Sequence, residues 1–97
     1  MTQADLLGLL RSILAILTRA NEVRWIPAIE QRIAVLTSIG PATAEYQDAV
    51  RNTLQLYGGM GSFQDLVLQN EKGVIPEQSE LFRLRNDLFT ALQAELR

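Results

Sequence analysis

With 97 residues, 47% of them hydrophobic and 21% charged, the chain has the make-up of one globular domain, and a single domain is expected over residues 1–97. The formal charge of −2, with acids and bases interspersed, argues against a basic face for nucleic acid. Cysteine and histidine are both absent, which removes disulfides, thiol nucleophiles, thiolate metal sites and the usual imidazole ligand or base, so no catalytic residue, metal or cofactor is expected.

The first periodic segment opens with Thr2 and Asp5 in the spacing of a capping box and predicts a helix over about residues 3–20. Leu6, Leu7, Leu9, Leu10, Ile13, Leu14, Ile16 and Leu17 cover about half of its circumference at roughly 100° per residue. That stripe is wider than one packing partner covers. Either this helix is central, or part of it forms a subunit interface, which makes a homodimer through the first helix one expectation. Residues 6–17 lack the basic flank of a signal peptide, are interrupted by Arg11, and are too short to span a bilayer. A cytoplasmic protein without membrane attachment is the resulting expectation.

Asn21 has the chemistry of an N-cap for a second helix that carries Trp25, Ala28, Ile29, Ile33, Leu36 and Ile39 and stops at Gly40 and Pro41. Pro27 places its start near Ile26 or imposes a kink there. A third helix is predicted over about residues 43–57, with Tyr46, Ala49, Val50, Thr53, Leu54, Leu56 and Tyr57 on one face. Gly58 would supply a left-handed terminating residue. The last helix should begin near Pro76 or Glu77 and run almost to Arg97, burying Leu81, Phe82, Leu84, Leu88, Phe89, Leu92 and Leu96. Glu77 and Glu80 suit its positive end.

Residues 58–75 admit two readings. Ser62 caps a short helix through Phe63 to about Leu68, or Leu66, Val67 and Leu68 are extended and pair back onto Val74 and Ile75. The helical reading is the preferred of the two. Either way the fold class is all-α: a compact bundle of four main helices with a short turn, helical or hairpin insert between the third and fourth.

Two features stand apart from this framework. Gly58, Gly59 and Gly61 precede Ser62 at a helix start, where free backbone amides bind anions; otherwise they form a sharp turn, with Met60 plugged into the core. The segment lacks the lysine of a phosphate-binding loop. Arg85 falls within the apolar face of the last helix, between Leu81, Leu88 and Leu92, and must find Asp65, Glu30 or free carbonyls of the glycine turn. It is expected to act as a structural clamp, or else to await an anionic ligand together with Gly58, Gly59, Gly61 and Ser62.

The run Tyr57-Gly58-Gly59-Met60-Gly61-Ser62-Phe63, followed by Asp65 and Leu66, resembles a family of uncharacterised small bacterial helical domains. The likeness extends over about residues 21–90 and includes the Trp25 helix and the Leu81, Leu84, Arg85, Leu88 pattern. It implies a compact α-helical bacterial protein and brings no established activity or catalytic residues. Scarce reactive side chains, small size and surplus apolar surface favour a non-enzymatic protein-interaction or regulatory module, of which an immunity-like protein is one version. The expected partner is another protein or a second copy of the chain, with neither nucleic acid nor membrane involved. The alternative is a small anionic-ligand sensor using the glycine-loop amides and Arg85.

Overall fold

The apolar stripe of the N-terminal segment folds as its period predicts. In the computed structural model, which describes residues 3–40, 43–58, 63–70 and 72–96, helix α1 runs Gln3–Arg19. Its Leu6, Leu10, Ile13, Ile16 and Leu17 are fully buried, each such burial being worth roughly 1.5–3 kcal/mol. Two neighbours cover them, α2 (Ile26–Ser38) and α4 (Glu77–Glu95). The width of the stripe therefore matches a central helix, and Leu7, Leu9 and Leu14 are partly buried against the same core.

Asn21 closes α1 instead of opening α2. Its backbone is left-handed, at φ 58°. The amide of Glu22 donates to the Leu17 carbonyl at 2.9 Å and that of Asn21 to Thr18 at 3.2 Å, the paired bonds that satisfy a helix C-terminus. Asparagine tolerates this conformation better than most side chains, and that preference outweighed its N-capping chemistry. The start of α2 is set by Pro27 in the first turn, where a missing N–H costs nothing. Gln3 Nε2 then donates to the carbonyls of Leu36 and Ile39, the latter at 2.9 Å. These bonds hold the start of α1 against the end of α2, so the two helices run antiparallel.

Helix α3 (Ala44–Leu54) is capped by Thr43, whose hydroxyl accepts from the Tyr46 amide at 3.1 Å. Tyr46, Ala49, Val50 and Thr53 form its buried face, and the Thr53 hydroxyl donates to the Ala49 carbonyl at 2.8 Å. The helix then tightens into a 3-10 turn over Gln55–Tyr57. Gly58 follows with φ −94° and ψ 145°, which is extended and not left-handed. The 3-10 turn already satisfies the last carbonyls, since the Gly58 amide donates to Gln55 at 3.2 Å. At its other end α3 is fixed to α4: Tyr46 Oη donates to Glu95 Oε1 at 2.7 Å, and Gln47 Nε2 donates to the Glu95 carbonyl at 3.0 Å.

Before α4 the chain makes a second 3-10 turn, Phe63–Asp65, and then a hairpin of β1 (Gln69–Asn70) and β2 (Gly73–Val74). The strands are antiparallel, with Gln69 opposite Val74 and Asn70 opposite Gly73. The pairing continues through the Ile75 amide to the Leu68 carbonyl at 3.1 Å. A helix through Leu68 is thus replaced by the hairpin reading. Gly73, at φ 113°, supplies a turn conformation that side chains rarely adopt, and Val67, Val74 and Ile75 are β-branched. Alternation sorts the segment, with Leu68 buried and Ile75 half-buried inside, and Val67 and Val74 outside.

Leu81, Leu84, Leu88, Ala91 and Leu92 of α4 complete the core, in which all four helices take part. Phe82 and Leu96, expected inside, are exposed. Phe82 lies about 100° around the helix from Leu81 and so beyond the edge of the stripe. Leu96 follows the end of α4 on extended backbone.

Candidate functional site

Arg85 is the one charged side chain among the described buried residues, 4% exposed. Its position on α4 follows from helical spacing, since Leu81, Leu88 and Leu92 on the same face carry it inward. Nη1 donates to the Phe63 carbonyl at 2.7 Å and to the Leu66 carbonyl at 2.8 Å. The guanidinium carbon lies 5.8 Å from the Phe63 ring centroid. A single nitrogen thus holds both ends of the 3-10 turn against α4. Nε is buried without a hydrogen-bond partner among the described residues.

Aromatic rings enclose this contact. Phe63 is fully buried, with Trp25 at 5.3 Å and Tyr57 at 5.8 Å between centroids, and Tyr57 meets Phe89 at 5.1 Å. Such tilted and edge-on pairs are the favoured geometries. The Tyr57 hydroxyl donates to the backbone carbonyl of Arg85 at 2.8 Å. Burial pushes the Tyr57 phenol well above its ordinary range, with Arg85 opposing the shift, so the group is a neutral donor. Burial likewise lowers the Arg85 pKa, while Tyr57 and Asp65 act in the opposite sense.

Of the partners expected for Arg85, the carbonyls following the glycine run are the ones it meets. The ion pairs of the described residues join Arg19 to Glu80, Arg51 to Asp48 and Arg83 to Asp87. Glu30 is exposed on α2, and Asp65 influences the guanidinium through space. Gly58 belongs to the end of the Tyr57 turn. Gly59, Gly61 and Ser62, with Met60, lie outside the described residues. Among the described residues no three His, Cys, Asp or Glu side chains converge as metal ligands, and no helix is long and apolar enough to cross a membrane.

A second feature escaped sequence reasoning. The Leu68 amide donates to Gln78 Oε1 at 2.7 Å, and Arg85 holds Leu66, so residues 66–68 run beside the turn of α4 that bears Phe82. Val67 is 45%, Val74 63% and Phe82 58% exposed. Val67 and Val74 share the outer face of the hairpin, because Gln69 pairs with Val74 and side chains two residues apart lie on one side. Val67 and Val74 are thus exposed on the hairpin, and Phe82 on the stretch of α4 between Gln78 and Arg85 that holds residues 66–68. The available signal was the period-2 alternation of Val67 and Leu68 against Val74 and Ile75, which requires the hairpin to be recognised first.

No curated protein and no solved structure matches the chain. One family model does, over residues 18–77, which takes in the Trp25 helix, the aromatic-glycine run, the 3-10 turn that Arg85 clamps and the hairpin. The match covers more than half of the chain, which therefore belongs to the family described as a domain of unknown function, DUF6966.

Proposed function

We propose that this protein is a non-enzymatic interaction module that recognises another protein through the corner bearing Val67, Val74 and Phe82. The observation that carries the reading is that three of the six exposed large apolar side chains among the described residues, Val67, Val74 and Phe82, belong to the hairpin and to the part of α4 bonded to it, whereas Val23, Val35 and Leu96 are exposed elsewhere. Exposed apolar clusters mark contact surfaces, and an aromatic side chain at the centre of one is a favoured anchor. The clamp role of Arg85 supports the same reading, because its guanidinium is bound to two backbone carbonyls. The bacterial origin, cytoplasmic location and regulatory or immunity-like role belong to this proposal.

The test is paired capture from the native host, with the wild-type chain and a Val74→Glu, Phe82→Glu double variant as baits. A protein retained by the first and lost by the second, with unchanged circular dichroism, is the expected result. Equal retention by both baits would reject the corner as the contact surface. Capture of the same chain would identify the partner as a second copy.

A further inference from the structure

Helices α2 and α3 are joined by residues 39–43 and enclose a cavity of about 340 Å³ that opens to solvent. Its floor is apolar, made by Val35, Ile39, Ala49 and the buried Thr53. Thr53 spends its hydroxyl on its own helix, at 2.8 Å from the Ala49 carbonyl, and so presents its methyl group as the lining. The walls are charged and of opposite sign. Arg32 with Gln31 comes from α2, while Glu45 and Asp48 come from α3.

These charges do not neutralise one another. Arg32 Nη1 donates to Gln31 Oε1 at 3.0 Å and to the Ala28 carbonyl at 3.3 Å, and its Nε is buried with no partner among the described residues. No carboxylate pairs with it in the described structure. Asp48 is paired outward with Arg51 at 2.6 Å, and Glu45 has no ion pair among the described residues. A cation and an anion therefore face one apolar floor without meeting.

Their order along the groove follows from the connection. Ile39 and Glu45 flank the link between the helices, whereas Arg32, seven residues before Ile39, stands about 10 Å away along α2. An occupant complementary to this arrangement has a carboxylate at one end, an ammonium at the other and an apolar body between. Two to three extended residues span about 7–10 Å, and the volume is that of a small-ligand pocket.

We infer that the α2–α3 cavity binds a short linear zwitterion with an apolar body, of the class of an apolar dipeptide or tripeptide, its carboxylate towards Arg32 and its ammonium towards Glu45. This site is separate from the hairpin corner, and neither depends on the other. Charge-assisted hydrogen bonds at the two ends supply the selectivity, and the floor supplies contact with the side chains.

The test is an amide-resolved NMR titration of the intact protein with three probes: free leucyl-alanyl-leucine, its N-acetylated form and its C-amidated form. The free peptide is expected to shift resonances of residues 31–39 and 45–53, with a dissociation constant on the order of 1 mM. Each blocked peptide should bind about tenfold more weakly or worse. Arg32→Gln should abolish the difference between the free and the amidated peptide, and Glu45→Gln the difference between the free and the acetylated one. Glu45→Gln is isosteric and Arg32→Gln puts a shorter neutral side chain on a half-buried position, and the unperturbed spectrum of each variant verifies the fold. No shifts at about ten times that concentration, shifts outside the cavity, or equal binding of all three probes would each overturn the inference.

Discussion

Replacing Arg85 separates its packing from its hydrogen bonding. Arg85→Met keeps an unbranched stem within the face formed by Leu81, Leu88 and Leu92, but leaves the carbonyls of Phe63 and Leu66 without their donor. An unsatisfied buried acceptor costs about 1–3 kcal/mol. Phe63 is fully buried and Leu66 is not, so the full cost applies to the first carbonyl and water recovers part of the second. The cation over the Phe63 ring adds about 0.5–1 kcal/mol. Relief of guanidinium desolvation offsets some of this, and a net loss of about 1–3 kcal/mol follows for Met. Arg85→Ala additionally removes the stem contacts, for about 2–4 kcal/mol in all. Arg85→Lys keeps the charge and loses the planar donor geometry, and should fall between wild type and Ala. Urea unfolding followed by circular dichroism reads these losses as lower midpoints at unchanged slope. A Met variant within about 0.5 kcal/mol of wild type, the usual scatter of a surface substitution, would refute the clamp.

Gly73→Ala should cost about 1 kcal/mol or more, because φ 113° is costly for any side chain. Gly58→Ala should be neutral within about 0.5 kcal/mol, since Gly58 is extended and, among the described residues, an added Cβ meets the Gln55 carbonyl at an ordinary 3.7 Å; thermal unfolding compares the two. Burial raises the Tyr57 phenol, and burial with the Glu95 contact raises that of Tyr46, above the ordinary value of 10.0. In the unfolded chain these phenols lose their protons first, so stability is fully present below about pH 10 and falls as pH rises beyond it. A Tyr46→Phe, Tyr57→Phe double variant should flatten that alkaline decline in urea titrations, and an unchanged slope would contradict it. Phe82→Glu should change stability by less than about 0.5 kcal/mol, whereas a loss near that of a core aromatic would mean that Phe82 packs inside.

The helices were legible because Leu6, Leu10, Ile13 and Ile16, and later Leu81, Leu84, Leu88 and Leu92, repeat at the helical period and are buried accordingly. Their ends were less so. Asn21 has two chemistries, N-cap acceptor and left-handed residue, and only the backbone geometry decides between them. Gly58 was free to be left-handed and is extended because the 3-10 turn before it had already satisfied the helix end. Arg85 was conspicuous as a charge inside an apolar stripe, yet its partners are backbone carbonyls, which carry no residue signature. The proposed contact surface was hidden for a different reason: Phe82 lies next to Leu81 in sequence but about 100° away on the helix, and residues 66–68 are brought to α4 only by the contacts of Gln78 and Arg85.

The contact surface proposed for a partner protein includes Phe82. Site-specific photo-crosslinking in the native host tests this most directly, with the photoreactive side chain at position 82 or, for comparison, at the exposed Arg11 of α1. A discrete adduct with a different protein from position 82, and none from position 11, is the predicted result. Adducts from position 11 alone, or none from position 82 in cells that accumulate the folded chain, would contradict it.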